Sequence, residues 1–165
     1  MPAAIAYPTS TRQVADLLEK LEASAGIKVF MGSSTGNLLV DDDCSLDRII
    51  ARLSRRASFH AEDEARLKER MGLRVPGDPS SHPVWRDEEA ALLATRRLVA
   101  LAERHQRRVH VLHVSTGEEM DFLADHKEWA TVEVTPHHLT LEAPDCYERL
   151  GTYAQMNPPV RDARH

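Results

Sequence analysis

The chain has 165 residues, 42% hydrophobic and 28% charged, with a formal net charge of −5, values that describe one ordinary globular domain and exclude a disordered chain. An acidic balance with only 5% aromatics and no basic stripe excludes a nucleic-acid surface. No apolar run approaches the roughly 20 residues of a membrane span, and the first residues lack the basic and apolar regions of a signal peptide.

Taken in order, AAIAYPT reads as a short strand and STRQVADLLEKLEASAG as a helix capped at Ser10 or Thr11, with Val14, Leu17, Leu18 and Leu21 on one face and a stop at Gly26. A strand from Ile27 to Met31 follows, then a loop through Asn37. The acidic run Asp41–Asp43 is expected in solvent, leading into a cap at Ser45 and the helix SLDRIIARLSRR, whose apolar face is Leu46, Ile49, Ile50 and Leu53. ASFH is a brief strand entering a charged helix, and LRVPGDPSSHPVW, rich in proline and glycine, is expected to be loop. The helix RDEEAALLATRRLVALAERH leads to the strand RVHVLHVST, the arginines of RRLVALAERHQRR being expected on a solvated face. A helix through GEEMDFLADHK, the strand ATVEVTPHHL and a proline-punctuated tail complete the chain. About five strands alternating with helices predict βα units on a parallel sheet.

In such folds chemistry gathers beyond the carboxyl ends of the strands. Lys28, His60, His113, Glu133 and His137 all fall there. Alternation with period two puts His113 on the face of Val109 and Val111, and His110 on the other with Leu112. Each polar residue alone has an ordinary explanation, since strand-end lysines snorkel and single histidines are usually satisfied core or surface groups. His82 and His105 carry no expected role, and GSSTGN lacks the Gly-Lys-Ser/Thr ending of a phosphate loop. Cys44 and Cys146 lie far apart in no ligand spacing, which favours a reducing compartment, so the expected location is cytoplasmic. Together, one lysine and two histidines at successive strand ends suit a metal centre with nitrogen and oxygen ligands. A buried lysine with a lowered pKa can take up carbon dioxide as a carbamate, exchanging a costly cation for a bidentate anion.

GIKVFMGSSTGNLLVDD, FHAEDE, HVLHVSTGEE, EVTPHHL and MNPPVR together resemble the dihydroorotases of the cyclic amidohydrolase superfamily, in the family's order and over almost the whole chain. The resemblance implies an α/β fold, a partial TIM-type (β/α)₈ barrel of about strands three to seven, with residues 1–165 an internal fragment of the barrel domain. It implies two zinc ions, with Lys28 as the carboxylated lysine bridging them, His60 and His113 as ligands of the second ion, and Asn157 as a contact to the substrate ring. The implied reaction is reversible ring opening of dihydroorotate to N-carbamoyl-aspartate in pyrimidine biosynthesis. Dihydropyrimidinase or hydantoinase, and allantoinase, share the architecture and are the alternative activities. A non-catalytic dihydroorotase-like structural partner is the alternative outside enzymology. The family's His-x-His pair and its Asp-His-Ala-Pro-like general acid/base setting do not occur in these residues. The 165 residues alone are therefore expected to be inactive, and their open sheet edges are expected to favour a homo-oligomer.

Overall fold

The computed structural model describes residues 5–6, 26–34 and 38–165. The helix expected to begin at Ser10 and the loop position Asn37 lie outside the described residues. Five short strands, β1 (Ile5–Ala6), β2 (Ile27–Phe30), β3 (Ala57–His60), β4 (Val109–Val111) and β5 (Ala130–Val132), pair in chain order, each parallel to the next. Parallel neighbours need long crossovers, and helices supply them. After β2 comes α1 (Asp43–Arg52); after β3 come α2 (Glu64–Arg70), α3 (His82–Trp85) and α4 (Glu88–Arg104); after β4 comes α5 (Gly117–Ala124). Two short helices, α6 (Pro136–Thr140) and α7 (Asp145–Leu150), follow β5.

The two faces of the sheet differ in chemistry. Ile27, Val29, Ala57, Phe59, Val109 and Val111 are buried in one core with Leu46, Ile49 and Ile50 of α1 and Ala94, Leu98 and Val99 of α4. On the other face the strand register lines up Lys28, Ser58, His110 and Thr131 as a polar row. Period-two alternation with helices on one side thus leaves a polar inner wall, on which the functional side chains stand.

Local chemistry moved several element ends. The cap of α1 is Asp42, whose Oδ1 accepts from the Ser45 amide at 2.8 Å, so the helix opens three residues before Ser45's expected capping turn would allow. The stretch expected to be loop holds a 3₁₀ turn at Pro79–Ser81 and the helix α3, each with proline in its first turn, where a fixed φ favours helix. The strand expected through 139 stops pairing at Val132, and Pro136 opens α6. The helix α7, absent from the expectations, buries Cys146 and Tyr147 with Ala154 and Val160 in a small second cluster.

Candidate metal centre

His60 closes β3 on the face of Lys28 and Ser58, and it is buried. His113 lies two residues beyond β4, where strict alternation would send its ring into the helix-packed core. Its φ is +41°, in the left-handed region that few non-glycine residues occupy. That turn carries the ring to the opposite face, where Nε2 stands 3.1 Å from His60 Nδ1, the two rings meeting edge-on. The expected face for His113 is therefore wrong, and the physical reason is one backbone torsion. His110 keeps its strand-face position, with Nδ1 2.8 Å from the Thr131 hydroxyl.

Behind His60 sits a buried charge pair. His60 Nε2 is 3.0 Å from Glu62 Oε2, within ion-pair distance. Arg86 reaches the same carboxylate with both its Nε, at 3.1 Å, and its Nη2, which also donates to the Ser33 carbonyl at 2.7 Å. Burial pushes the Glu62 pKa up, but His60 and Arg86 outweigh it and hold the carboxyl well below its usual range. Arg86 thereby ties the segment after β2 to the segment after β3. Between them Gly32 is indispensable for space: a Cβ there would meet the Glu62 carbonyl oxygen at 2.5 Å and its Cβ at 2.9 Å.

Lys28 lies half-buried on the inner wall, its Nζ 4.7 Å from the centre of the Phe30 ring, which in turn packs against His60. Burial lowers its pKa to about 8, against the pull of the Glu133 carboxylate. About a tenth of such amines are neutral at pH 7. Burial, then the neighbouring His60 and Lys28 charges, push His113 down to about 3, so its ring is neutral across the physiological range.

The donor set fits a metal ion. Two nitrogens on one tetrahedral zinc, each about 2.0–2.1 Å from it, lie about 3.3 Å apart, close to the separation seen. A carboxylate behind the far nitrogen of a histidine is the usual means of leaving the near one as a lone pair. His113 Nδ1 is buried with no hydrogen-bond partner among the described residues, as for a ring whose position is set by its other nitrogen. Among the described residues no three His, Cys, Asp or Glu side chains gather as a ready-made site. Lys28 shares this wall with His60, and a lysine can serve as a ligand only after losing its positive charge.

Asn157 takes a separate position. Its Oδ1 is 3.1 Å from His82 Nε2, and its Nδ2 reaches the Ser34 hydroxyl at 3.5 Å. With Arg74, Trp85 and Arg86, His82 and Asn157 line an open cavity of about 320 Å³. His82, given no role from sequence, thus holds Asn157, and its ring also faces the Met156 carbonyl at 3.1 Å. Arg161, of the same MNPPVR motif, is buried, donating to the Arg86 and Asp87 carbonyls and the Ser115 hydroxyl. Glu62, Arg86 and Arg161 are the site residues that sequence reasoning missed; FHAEDE and MNPPVR contain two of them. His137 and Glu133 are exposed at the end of the sheet and do not join the histidine pair.

No family model matches the chain. The dihydroorotase of Methanosarcina acetivorans is 34% identical over 157 residues, covering 87% of this chain and 33% of that protein. That of Methanothermobacter thermautotrophicus is 34% identical over 140 residues, covering 83% and 31%. Among solved structures, a D-hydantoinase superposes with a TM-score of 0.82 at 26% identity, over 98% of this chain and 37% of its own. A dihydropyrimidinase from Brevibacillus agri gives 0.81 at 27% identity, over 94% and 36%. The chain spans about a third of the length of the curated relatives it matches. By sequence and by fold, the chain belongs to the amidohydrolases, with dihydroorotases as its matched curated relatives.

Proposed function

We propose that the chain forms about strands three to seven of a (β/α)₈ barrel and carries one half of the zinc centre of a dihydroorotase, which opens dihydroorotate reversibly to N-carbamoyl-aspartate. The convergence of His60 Nδ1 and His113 Nε2 on the face of Lys28 is the observation that supports it most. In this reading His60 Nδ1 and His113 Nε2 would hold one ion, with the Glu62 carboxylate beside the other nitrogen of His60. The neutral amine of Lys28 adds to carbon dioxide and releases a proton, and the resulting carbamate would offer anionic oxygens as ligands. When bound, zinc supplies polarisation of the ring amide carbonyl and a hydroxide nucleophile at neutral pH. Asn157, steadied by His82, offers an amide to the substrate ring. The residues present include no His-x-His pair and no Asp-His-Ala-Pro-like proton carrier, so the 165 residues by themselves are proposed to be catalytically silent. The open edge of β5, with Thr131, Val132 and Glu133 all exposed, supports self-association.

A hydantoinase-like or dihydropyrimidinase-like activity is the second reading, favoured by the names of the solved structures that superpose. A chimaera decides between them: the aligned 87% of this chain replaces the matched third of the Methanosarcina acetivorans dihydroorotase, and product formation is followed from dihydroorotate and from a hydantoin. Turnover of dihydroorotate that His113→Ala abolishes is the expected result. Turnover of the hydantoin alone supports the second reading. A folded, zinc-containing chimaera without either activity supports a non-catalytic role.

A further inference from the structure

At the end of the sheet remote from the histidine pair, the sequence repeats itself. Arg52-Leu-Ser-Arg55-Arg56 leads into β3 and Arg104-His-Gln-Arg107-Arg108 leads into β4. Ser58 pairs with His110, so the two Arg-x-x-Arg-Arg segments lie in step on neighbouring parallel strands. Arg52 and Arg104 end their helices, where a cation offsets the helix dipole. That reason does not reach the two doublets, which stand beyond the helices at the strand starts.

The doublets share one cavity of about 360 Å³, lined by Arg55, Arg56, Arg107, Arg108, Gln106 and His110 among others. Arg56, Gln106, Arg107 and Arg108 are exposed, and Arg108 Nη2 comes no nearer to the Lys127 carbonyl than 3.5 Å. The exposed guanidiniums of Arg56, Arg107 and Arg108 around one pocket repel one another, and this happens in a chain whose net charge is −5. Among the described residues, the acid in register with Arg107 is the exposed Glu128, beside Trp129 and just before β5. Guanidinium forks match phosphate oxygens two at a time. The cavity has room for a small anion, with the Thr131 hydroxyl and the His110 ring on its inner wall to complete the polar lining.

From this juxtaposition we infer a binding site for a polyphosphate anion at the amino-terminal end of β3 and β4, separate from the metal centre and independent of the activity proposed for it. Inorganic pyrophosphate and the phosphate tail of a nucleotide offer the same chemistry. Isothermal titration of the 165-residue chain with pyrophosphate, ATP and orthophosphate distinguishes them. Saturable binding of pyrophosphate and ATP alike is expected for a site that reads the phosphates alone, and tighter binding of ATP assigns the nucleotide as the source. The double substitution Arg56→Gln with Arg108→Gln should weaken binding by about tenfold or more, while Arg149→Gln, on the exposed surface of α7, leaves it unchanged. Should the double variant fail to fold, phenylglyoxal labelling of the unaltered chain replaces it, with pyrophosphate expected to protect Arg56 and Arg108 but not Arg149. Absence of saturable binding, equal displacement by sulfate or chloride at matched ionic strength, or uniform protection of all arginines would overturn the inference.

Discussion

Nε2 of His113 lies 3.1 Å from Nδ1 of His60, although the alternation of β4 assigns the two rings to opposite faces of the sheet. A positive φ at His113 makes the contact possible, and such torsions persist only where the surroundings hold them. Replacing His113 by glycine relaxes the torsion but deletes the ring. Replacing it by asparagine keeps a residue tolerant of that region. His113→Asn is therefore expected to fold with stability close to that of the unaltered chain while losing the nitrogen that faces His60. Urea unfolding checks it; a large loss of stability would mean that the ring is held for packing.

Acid sensitivity should come in two steps. His113 has its pKa pushed down to about 3 in the folded chain, against about 6.5 unfolded, so the unfolded state binds more protons between those values and stability falls as pH drops below about 6.5. Burial lowers His82 and His138 in the same direction. Glu62 has its pKa lowered from 4.5, so its contribution is complete above that value and disappears as pH falls further. Urea midpoints measured from pH 7 to pH 3 should show His113→Asn reducing the slope between about 6.5 and 4.5, and Glu62→Gln reducing it only below about 4.5. A slope unchanged by either substitution would contradict the assignment.

Arg86→Met should destabilise the chain by about 3–5 kcal/mol, because it leaves the fully buried Glu62 carboxylate without its main counter-charge. The double substitution Arg86→Met with Glu62→Leu should recover much of that loss. A double-mutant cycle by chemical denaturation reads the coupling directly.

Gly32→Ala should cost about 1–3 kcal/mol. The new methyl group would press on the Glu62 backbone, which cannot yield as a flexible side-chain tip could. Thermal unfolding of this variant beside Gly72→Ala is the check, since a Cβ at Gly72 meets nothing within 4 Å.

The alternation of strands and helices was legible because apolar periodicity reports burial, and Ile27, Val29, Phe59, Val109 and Val111 all pack where period two puts them. Lys28 inside β2, His60 at the end of β3 and His113 just beyond β4 were legible as polar residue types in an apolar pattern. The face of His113 was not, since a single left-handed torsion leaves no mark in hydrophobic pattern. Glu62, Arg86 and Arg161 were hidden for another reason: charged residues read as surface, and their burial depends on partners from distant segments. His82 looked idle because its partner Asn157 is 75 positions away.

His60 and His113 are proposed to share a metal ion with Lys28 on the inner wall of the sheet. Equilibrium dialysis of the chain against zinc in bicarbonate buffer, with metal and protein quantified in the retained fraction, tests it most directly. About one zinc per chain is expected, lost when His60 and His113 are both replaced by asparagine and kept when the exposed His137 is replaced instead. Equal zinc retention by the His60→Asn, His113→Asn double variant, or no retention by the unaltered chain, would contradict it.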